Sequence, residues 1–200
     1  MARDPERVLT ELIARAKEGD RWAYGHIFRL CYKSIYDYTI RRVGDRNDAE
    51  DITMRVFMQG LDAVASYEER GCSVRAWFFR IAHNAVVDHL RAHKSHVDID
   101  SVFEVEDATR NIESELVARE TIDDLHEKIK TLPPAQAEVV ILRFIEDLSV
   151  TETATVLGKK EVTVRALQFK AIKSLKEKFA ASESQLSVGY TLNQREYGGS

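Results

Sequence analysis

The side chains best suited to chemistry with a partner are cationic and aromatic, and they fall in two clusters. The first is Thr163, Arg165, Gln168, Phe169, Lys170 and Lys173, with Lys159 and Lys160 before it and Lys176 and Lys178 after it. Arginine pairs with guanine edges, glutamine with adenine, and phenylalanine meets a thymine methyl. Lysines neutralise phosphates and release counterions. The second cluster is Arg75-Ala76-Trp77-Phe78-Phe79-Arg80, followed by His83, Asn84 and Arg91. Aromatics interleaved with arginine suit stacked bases and a held phosphate chain. Each cluster has a plainer reading: a helical hairpin with a solvated lysine-rich end, and an aromatic core. Successive residues on a helix point about 100° apart, so three adjacent aromatics cannot share one face. Trp77 is expected inside, with Phe78 or Arg80 exposed.

Other constellations carry less. His89 and His93 lie four apart, with His96 close behind, a spacing that can hold a metal. The sequence offers no further ligand except distant Cys72, so a polar helix end near nucleic acid is preferred and no metal is expected. Asp88 beside His89 suggests acid-base chemistry, but no Gly-rich phosphate loop or nucleophile elbow accompanies it. No cofactor and no enzymatic activity are expected.

These clusters must be positioned by helices, because nearly every segment repeats its apolar residues at helical spacing. Leu9, Leu12, Ile13 and Ala16 form one such face, with Gly19 as its stop. Tyr24, Ile27, Phe28, Cys31, Ile35 and Tyr38 continue to about Val43. After the turn Gly44-Asp45-Arg46-Asn47, a helix opening at Asp48 carries Ile52, Val56, Phe57 and Leu61. Asp48, Glu50 and Asp51 sit at its start, where carboxylates are favoured and can pair with a partner's arginines; a solvated helix start is the simpler view of them. Ser66 to Ser73 reads as a loop, and a fourth helix runs from about Val74 to Ala92.

Periodicity fails from about Lys94 to Asn111, which reads as a linker, and resumes near Ile112. Pro133 and Pro134 suit a helix's first turn, where the missing donors are not needed; the helix that follows carries Val139, Val140, Leu142 and Phe144. Ser149 to Glu152 is a capping box, Gly158 a left-handed stop, and a last helix runs from about Glu161 to Phe179. Val164, Leu167, Ala171 and Leu175 form its inner face. Residues 180–200 read as a loose tail. A short capped helix, a glycine turn and a longer basic helix make a helix-turn-helix candidate.

Composition agrees and excludes other classes. With 44% hydrophobic and 31% charged residues the chain can bury cores. It lacks an apolar run of about 18 residues and an N-terminal signal core, so no membrane span is expected. Two cysteines are too few for a disulfide framework, which points to a reduced, cytoplasmic setting. The net charge of −4 conceals a division: +2 over residues 1–96, −9 over 97–127 and +3 over 128–200. Two weakly basic segments flank an acidic one.

Both basic segments resemble extracytoplasmic-function sigma factors of bacterial RNA polymerase. Leu132 to Phe144, Leu-Pro-Pro-Ala-Gln-Ala-Glu-Val-Val-Ile-Leu-Arg-Phe, is similar to that family's Leu-Pro-x-x-x-Arg-x-Val-Leu-x-Leu-Arg-Tyr. Leu148-Ser149, Glu152, Ala154, Leu157-Gly158 and Thr163-Val164-Arg165 resemble its helix-turn-helix. Asp48-Ala49-Glu50-Asp51-Ile52-Thr53 with Val56-Phe57 resembles its second-region core helix. Arg75 to Asn84, then Asp88-His89-Leu90-Arg91, resembles the part that handles the −10 element.

The resemblance implies an all-α fold of two helical domains joined by a flexible acidic linker. Residues 1–94 would be the region 2 domain, 95–112 the linker, 113–179 the region 4 domain and 180–200 a tail. It implies a sigma factor that binds core polymerase and directs promoter-specific initiation. Asp48, Glu50, Asp51 and Phe57 would dock on the clamp helices of the polymerase β′ subunit. Arg75, Phe78, Arg80, His83, Asn84 and Arg91 would hold the melted −10 strand. Thr163, Arg165, Gln168, Phe169, Lys170 and Lys173 would read the −35 element, beside a contact with the β flap. An anti-sigma factor is a further implied partner. Residues 97–112 would enter the polymerase active-site or RNA-exit channel, where Asp98, Asp100, Glu104, Glu106 and Asp107 resemble the polyanion that RNA presents.

The chain departs from the pattern at Met54-Arg55, where the family has Gln-Glu, and at Lys159 and Lys160, where it has an apolar residue and a cap serine. Leu167-Gln168 replaces Arg-Leu, so the family's base preference does not carry over. Two other readings remain: a helix-turn-helix regulator that does not bind polymerase, and a sigma mimic that binds only an anti-sigma protein.

Overall fold

A computed structural model describes residues 5–68, 72–94, 125 and 127–196. Every regular element among them is helical, which is the expected all-α class. The acidic stretch 95–112 and the restart near Ile112 lie outside the described residues. None of the described helices is long and apolar enough to cross a membrane.

Helix α1 (Pro5–Lys17) buries Leu9, Ile13 and Ala16 and stops before Gly19, whose φ of +90° only glycine adopts readily. Asp20 then caps α2 (Arg21–Val43), accepting from the backbone N–H groups of Trp22 and Ala23. Gly44 closes α2 in the left-handed conformation. Helix α3 (Arg46–Ala63) begins two residues before the expected Asp48, because Asp45 is the cap and accepts from the Asp48 N–H. A 3-10 turn (Val64–Ser66) precedes α4 (Val74–Lys94), whose first turn is capped by the Ser73 hydroxyl accepting from the Ala76 N–H.

Further on, α5 (Pro134–Val140) starts on the two prolines and runs into a π-helical turn (Ile141–Ile145). Helix α6 (Val150–Leu157) carries the complete capping box of Ser149 and Glu152 and ends at Gly158 with φ +59°. Helix α7 (Glu161–Glu196) is longer than expected. The tail reading from 180 onward is corrected through Glu196: this stretch has no proline and only Gly189, which costs a helix about 1 kcal/mol without breaking it.

Contacts divide the chain into two units. The first holds α1 to α4 together with residues 146–161, and therefore α6. The second holds α5, its π turn and α7 from Val162 onward. In the first unit α2, α3 and α4 pack on one another, and α6 packs on α4. Its centre is aromatic: Phe57 meets Phe28 and Phe78 with ring centroids 4.8 and 5.1 Å away, and Phe79 meets Tyr38 at 5.6 Å. Gly60 lets Phe78 approach α3, since a Cβ there would lie 2.6 Å from the ring.

Candidate nucleic-acid interface

On α7 the sequence pattern and the structure agree about sides. Val164 and Ala171 are buried, and Leu167 and Leu175 are half-buried. Thr163, Arg165, Phe169, Lys170 and Lys173 are exposed. Gln168 differs: it is half-buried, and its amide oxygen accepts from Arg143 Nε at 3.3 Å. Val162, seven residues before Phe169, is also exposed, at 68% against 71%. Residues seven apart share a helix face, so the basic surface carries a small apolar patch that the sequence reading missed. The spacing of Val162 and Phe169 was the available signal.

Helix α4 differs from the expected assignment at Phe78, Arg75 and His83. Trp77 lies inside as expected, against Tyr67 with centroids 5.0 Å apart, and Arg80 is exposed. Phe78, assigned to the −10 strand, is fully buried between Phe57, Trp77 and the Gly60 gap, so no ring face is open to a base. Arg75 is half-buried and already bonded, donating to the Glu146 carbonyl at 2.9 Å with the Glu146 carboxylate at 3.8 Å. His83 is half-buried, 3.4 Å from the Tyr38 hydroxyl. The open polar surface is Arg80, Asn84, Asp88 and Arg91, one stripe at helical spacing.

Carboxylates crowd the start of α4. Burial pushes the Glu146 carboxyl up to about 7, against the opposing pull of Arg41 and Arg75. Burial also raises Glu152, but hydrogen bonds from Ser73 and Ser149 outweigh it and hold this carboxyl below its usual range.

On α3, Asp51 is exposed and Asp48 and Glu50 are half-buried. Glu50 pairs with Arg46 at 3.1 Å, and Asp48 lies 3.4 Å from His89 Nε2. Phe57, assigned to polymerase binding, is 3% exposed and belongs to the core. Its apolar place on the surface is taken by Met54, Met58 and Leu61, which are 47%, 65% and 45% exposed. They sit at i, i+4 and i+7 beside Asp51, so α3 presents an apolar stripe with an acidic head. Helical spacing groups Leu61 with Ile52, Val56 and Phe57, but those three are buried and Leu61 is not. Ligand atoms of Asp48, His89 and His93 lie within 4.8 Å of one another, the one group among the described residues that could hold a metal ion.

Comparison with known proteins places family patterns on both segments. The Sigma-70 region 2 family matches residues 27–96, and the Sigma-70, region 4 family matches residues 122–175. The ECF RNA polymerase sigma factor BldN of Streptomyces coelicolor is 31% identical over 169 residues, 84% of this chain. The chain spans 64% of that relative's length. Among solved structures, CnrH in complex with the cytosolic domain of CnrY matches with a TM-score of 0.64 at 22% identity, covering 89% of this chain and 99% of that one. The sigma factor RpoE of Bartonella quintana, solved with the anti-sigma factor NepR, matches with a TM-score of 0.61 at 20% identity, covering 77% and 94%. Both likenesses concern the fold.

Proposed function

The chain belongs to the extracytoplasmic-function sigma factors of the sigma-70 family, and from this we propose that it binds core RNA polymerase in the cytoplasm and directs promoter-specific initiation. The observation that carries the reading is the pairing, in one chain, of two surfaces that a simple regulator does not need together. Helix α3 offers an acidic and apolar stripe for a protein partner, and α7 offers a basic face with Thr163, Arg165 and Phe169 exposed.

In this reading Asp48, Glu50 and Asp51, with Met54, Met58 and Leu61, meet the polymerase β′ clamp helices. Arg80, Asn84 and Arg91 hold the melted −10 strand, and Arg75 joins them once released from Glu146. Flipping bases from the duplex costs a few kcal/mol, which such contacts must offset. Thr163, Arg165, Phe169, Lys170 and Lys173 take the −35 element, with Gln168 second to them because Arg143 holds it. The region 2 domain spans 1–94, the acidic linker 95–112 and the region 4 domain 113–179. Asp98, Asp100, Glu104, Glu106 and Asp107 of the linker mimic RNA in the polymerase channel. The protein makes and breaks no bonds itself. An anti-sigma factor, such as the one solved with the Bartonella relative, covers these surfaces when transcription is off.

Run-off transcription from genome-derived promoters tests the proposal. Specific transcripts are expected only when core polymerase and this protein are both present. Promoter binding without core would instead mark a simple regulator. No transcript from any promoter, with binding to an anti-sigma protein retained, would mark a mimic.

A further inference from the structure

His89 and His93 stand one turn apart on α4, and folding brings Asp48, from the first turn of α3, against them. We propose that these three side chains form a binding site for a divalent transition metal ion of the zinc type.

The distances suit such an ion. Tetrahedral zinc with bonds of about 2.0–2.1 Å sets neighbouring ligand atoms about 3.3–3.4 Å apart. Asp48 Oδ2 and His89 Nε2 are 3.4 Å apart, and one ligand atom from each of the three residues falls within 4.8 Å of the others. The remaining closure falls to His93, which is exposed and has room to turn. The two imidazole rings are stacked, with centroids 4.0 Å and planes 29° apart, so His93 must tilt out of the stack for both lone pairs to meet one ion.

The donor chemistry points the same way. His93 Nδ1 lies 3.0 Å from the His89 main-chain oxygen, an acceptor only, so Nδ1 carries the proton and donates. That leaves the Nε2 lone pair for a metal, the arrangement that orients ligating histidines elsewhere. Two imidazoles and one carboxylate select zinc, cobalt or nickel over magnesium and calcium, which favour all-oxygen shells. Exposure on the His93 side gives the ion an entry path and leaves its fourth position to water. A bound ion ties the start of α3 to the second half of α4, and it occupies a carboxylate that the polymerase-facing stripe also uses. The site does not depend on the transcriptional reading.

The test uses the full chain, stripped by chelator and desalted, then titrated with cobalt(II) chloride. Tetrahedral cobalt absorbs strongly in the visible. The expected result is one equivalent of such binding, bleached by added zinc. His93→Ala and Asp48→Asn should each weaken it at least about tenfold, with thermal melts in chelator confirming that both variants fold. His26→Ala, at an exposed histidine on α2, should leave it unchanged. Absence of the visible band in the parent chain overturns the site. So does a band of equal midpoint in the parent, His93→Ala and Asp48→Asn proteins, or one dominated by thiolate-to-cobalt charge transfer, which would assign the ion to one of the free cysteines, Cys31 or Cys72.

Discussion

Arg165 and Lys173 are both exposed on α7, two turns apart, and they differ in what they can reach. Residues near the start of a recognition helix meet base edges, whereas those further along meet the backbone. Arg165→Ala should cost about 1–3 kcal/mol of −35 binding and relax preference at one base pair. Lys173→Ala should weaken all sequences alike and lower the salt slope by about one unit. Binding of single-base −35 variants at two salt concentrations reads both effects, and an equal loss on every variant removes Arg165 as a base reader. Glu146 makes a different prediction. Its carboxyl is raised to about 7 in the fold by burial, facing Arg75 and Arg41 with Asp37 and Lys33 nearby. The folded state therefore holds a proton that the unfolded chain releases near pH 4.5, so this group's stabilisation is full below that value and is lost as pH rises toward 7. Urea melts should show a stability slope of at most about 1.4 kcal/mol per pH unit across that window, absent in Glu146→Gln. Neither Arg75's engagement nor Glu146's burial was legible in the chain, because 71 residues separate the partners.

The elements themselves were largely legible. Ser149 with Glu152, Gly158, and Pro133 with Pro134 act within a turn of the backbone they cap, so their meaning survives without tertiary context. What escaped was the choice of face where several apolar residues adjoin. Phe57 and Phe78 were read as contact residues, but α3 and α4 turn them toward each other across Gly60. A Cβ at position 60 would meet the Phe78 ring at 2.6 Å and the Tyr24 hydroxyl at 2.8 Å. That hydroxyl is held by its bond to the Phe57 carbonyl. Gly60→Ala gains about 1 kcal/mol of helix propensity and loses about 1–3 kcal/mol to overpacking, so a net loss of stability is expected in denaturant melts. Adding Phe78→Leu should make the alanine less costly than it is beside phenylalanine; an unchanged cost would show that the clash lies elsewhere.

For the molecule as a whole, the consequential contact is α6 on α4 within the first unit. It sets Glu146 and Glu152 beside Arg75 and Ser73, at the end of α4 proposed to meet DNA phosphates. A phosphate chain bound by Arg75 there must part it from the Glu146 carbonyl. In a protein with Cys31→Ala and Cys72→Ala, Ser73→Cys and Glu152→Cys can be joined by a short bis-maleimide. Loss of one charge-assisted contact of about 1.5–3 kcal/mol amounts to about tenfold or more, and promoter opening by the linked protein should fall by at least that factor. Undiminished opening by the linked protein would mean that α4 meets DNA without parting from α6.

Helix periods, caps and turn residues, the alternation of charge along the chain, and two motif blocks in order were enough to establish the all-α class and the family. The periods, caps and turns are carried by residues within about two turns of one another, and the charge division and motif order need only the order of the chain. Tertiary structure alone decided which apolar residues show. Met54, Met58 and Leu61 face out while Phe57 and Phe78 face in, because a helix's apolar arc is assigned only by what packs against it. It also decided which charges are engaged, pairing Arg75 with Glu146 and setting Asp48 beside His89 and His93. Those partners lie far apart in sequence, and no spacing rule connects residues that only the packing of α3, α4 and the segment before α6 brings together.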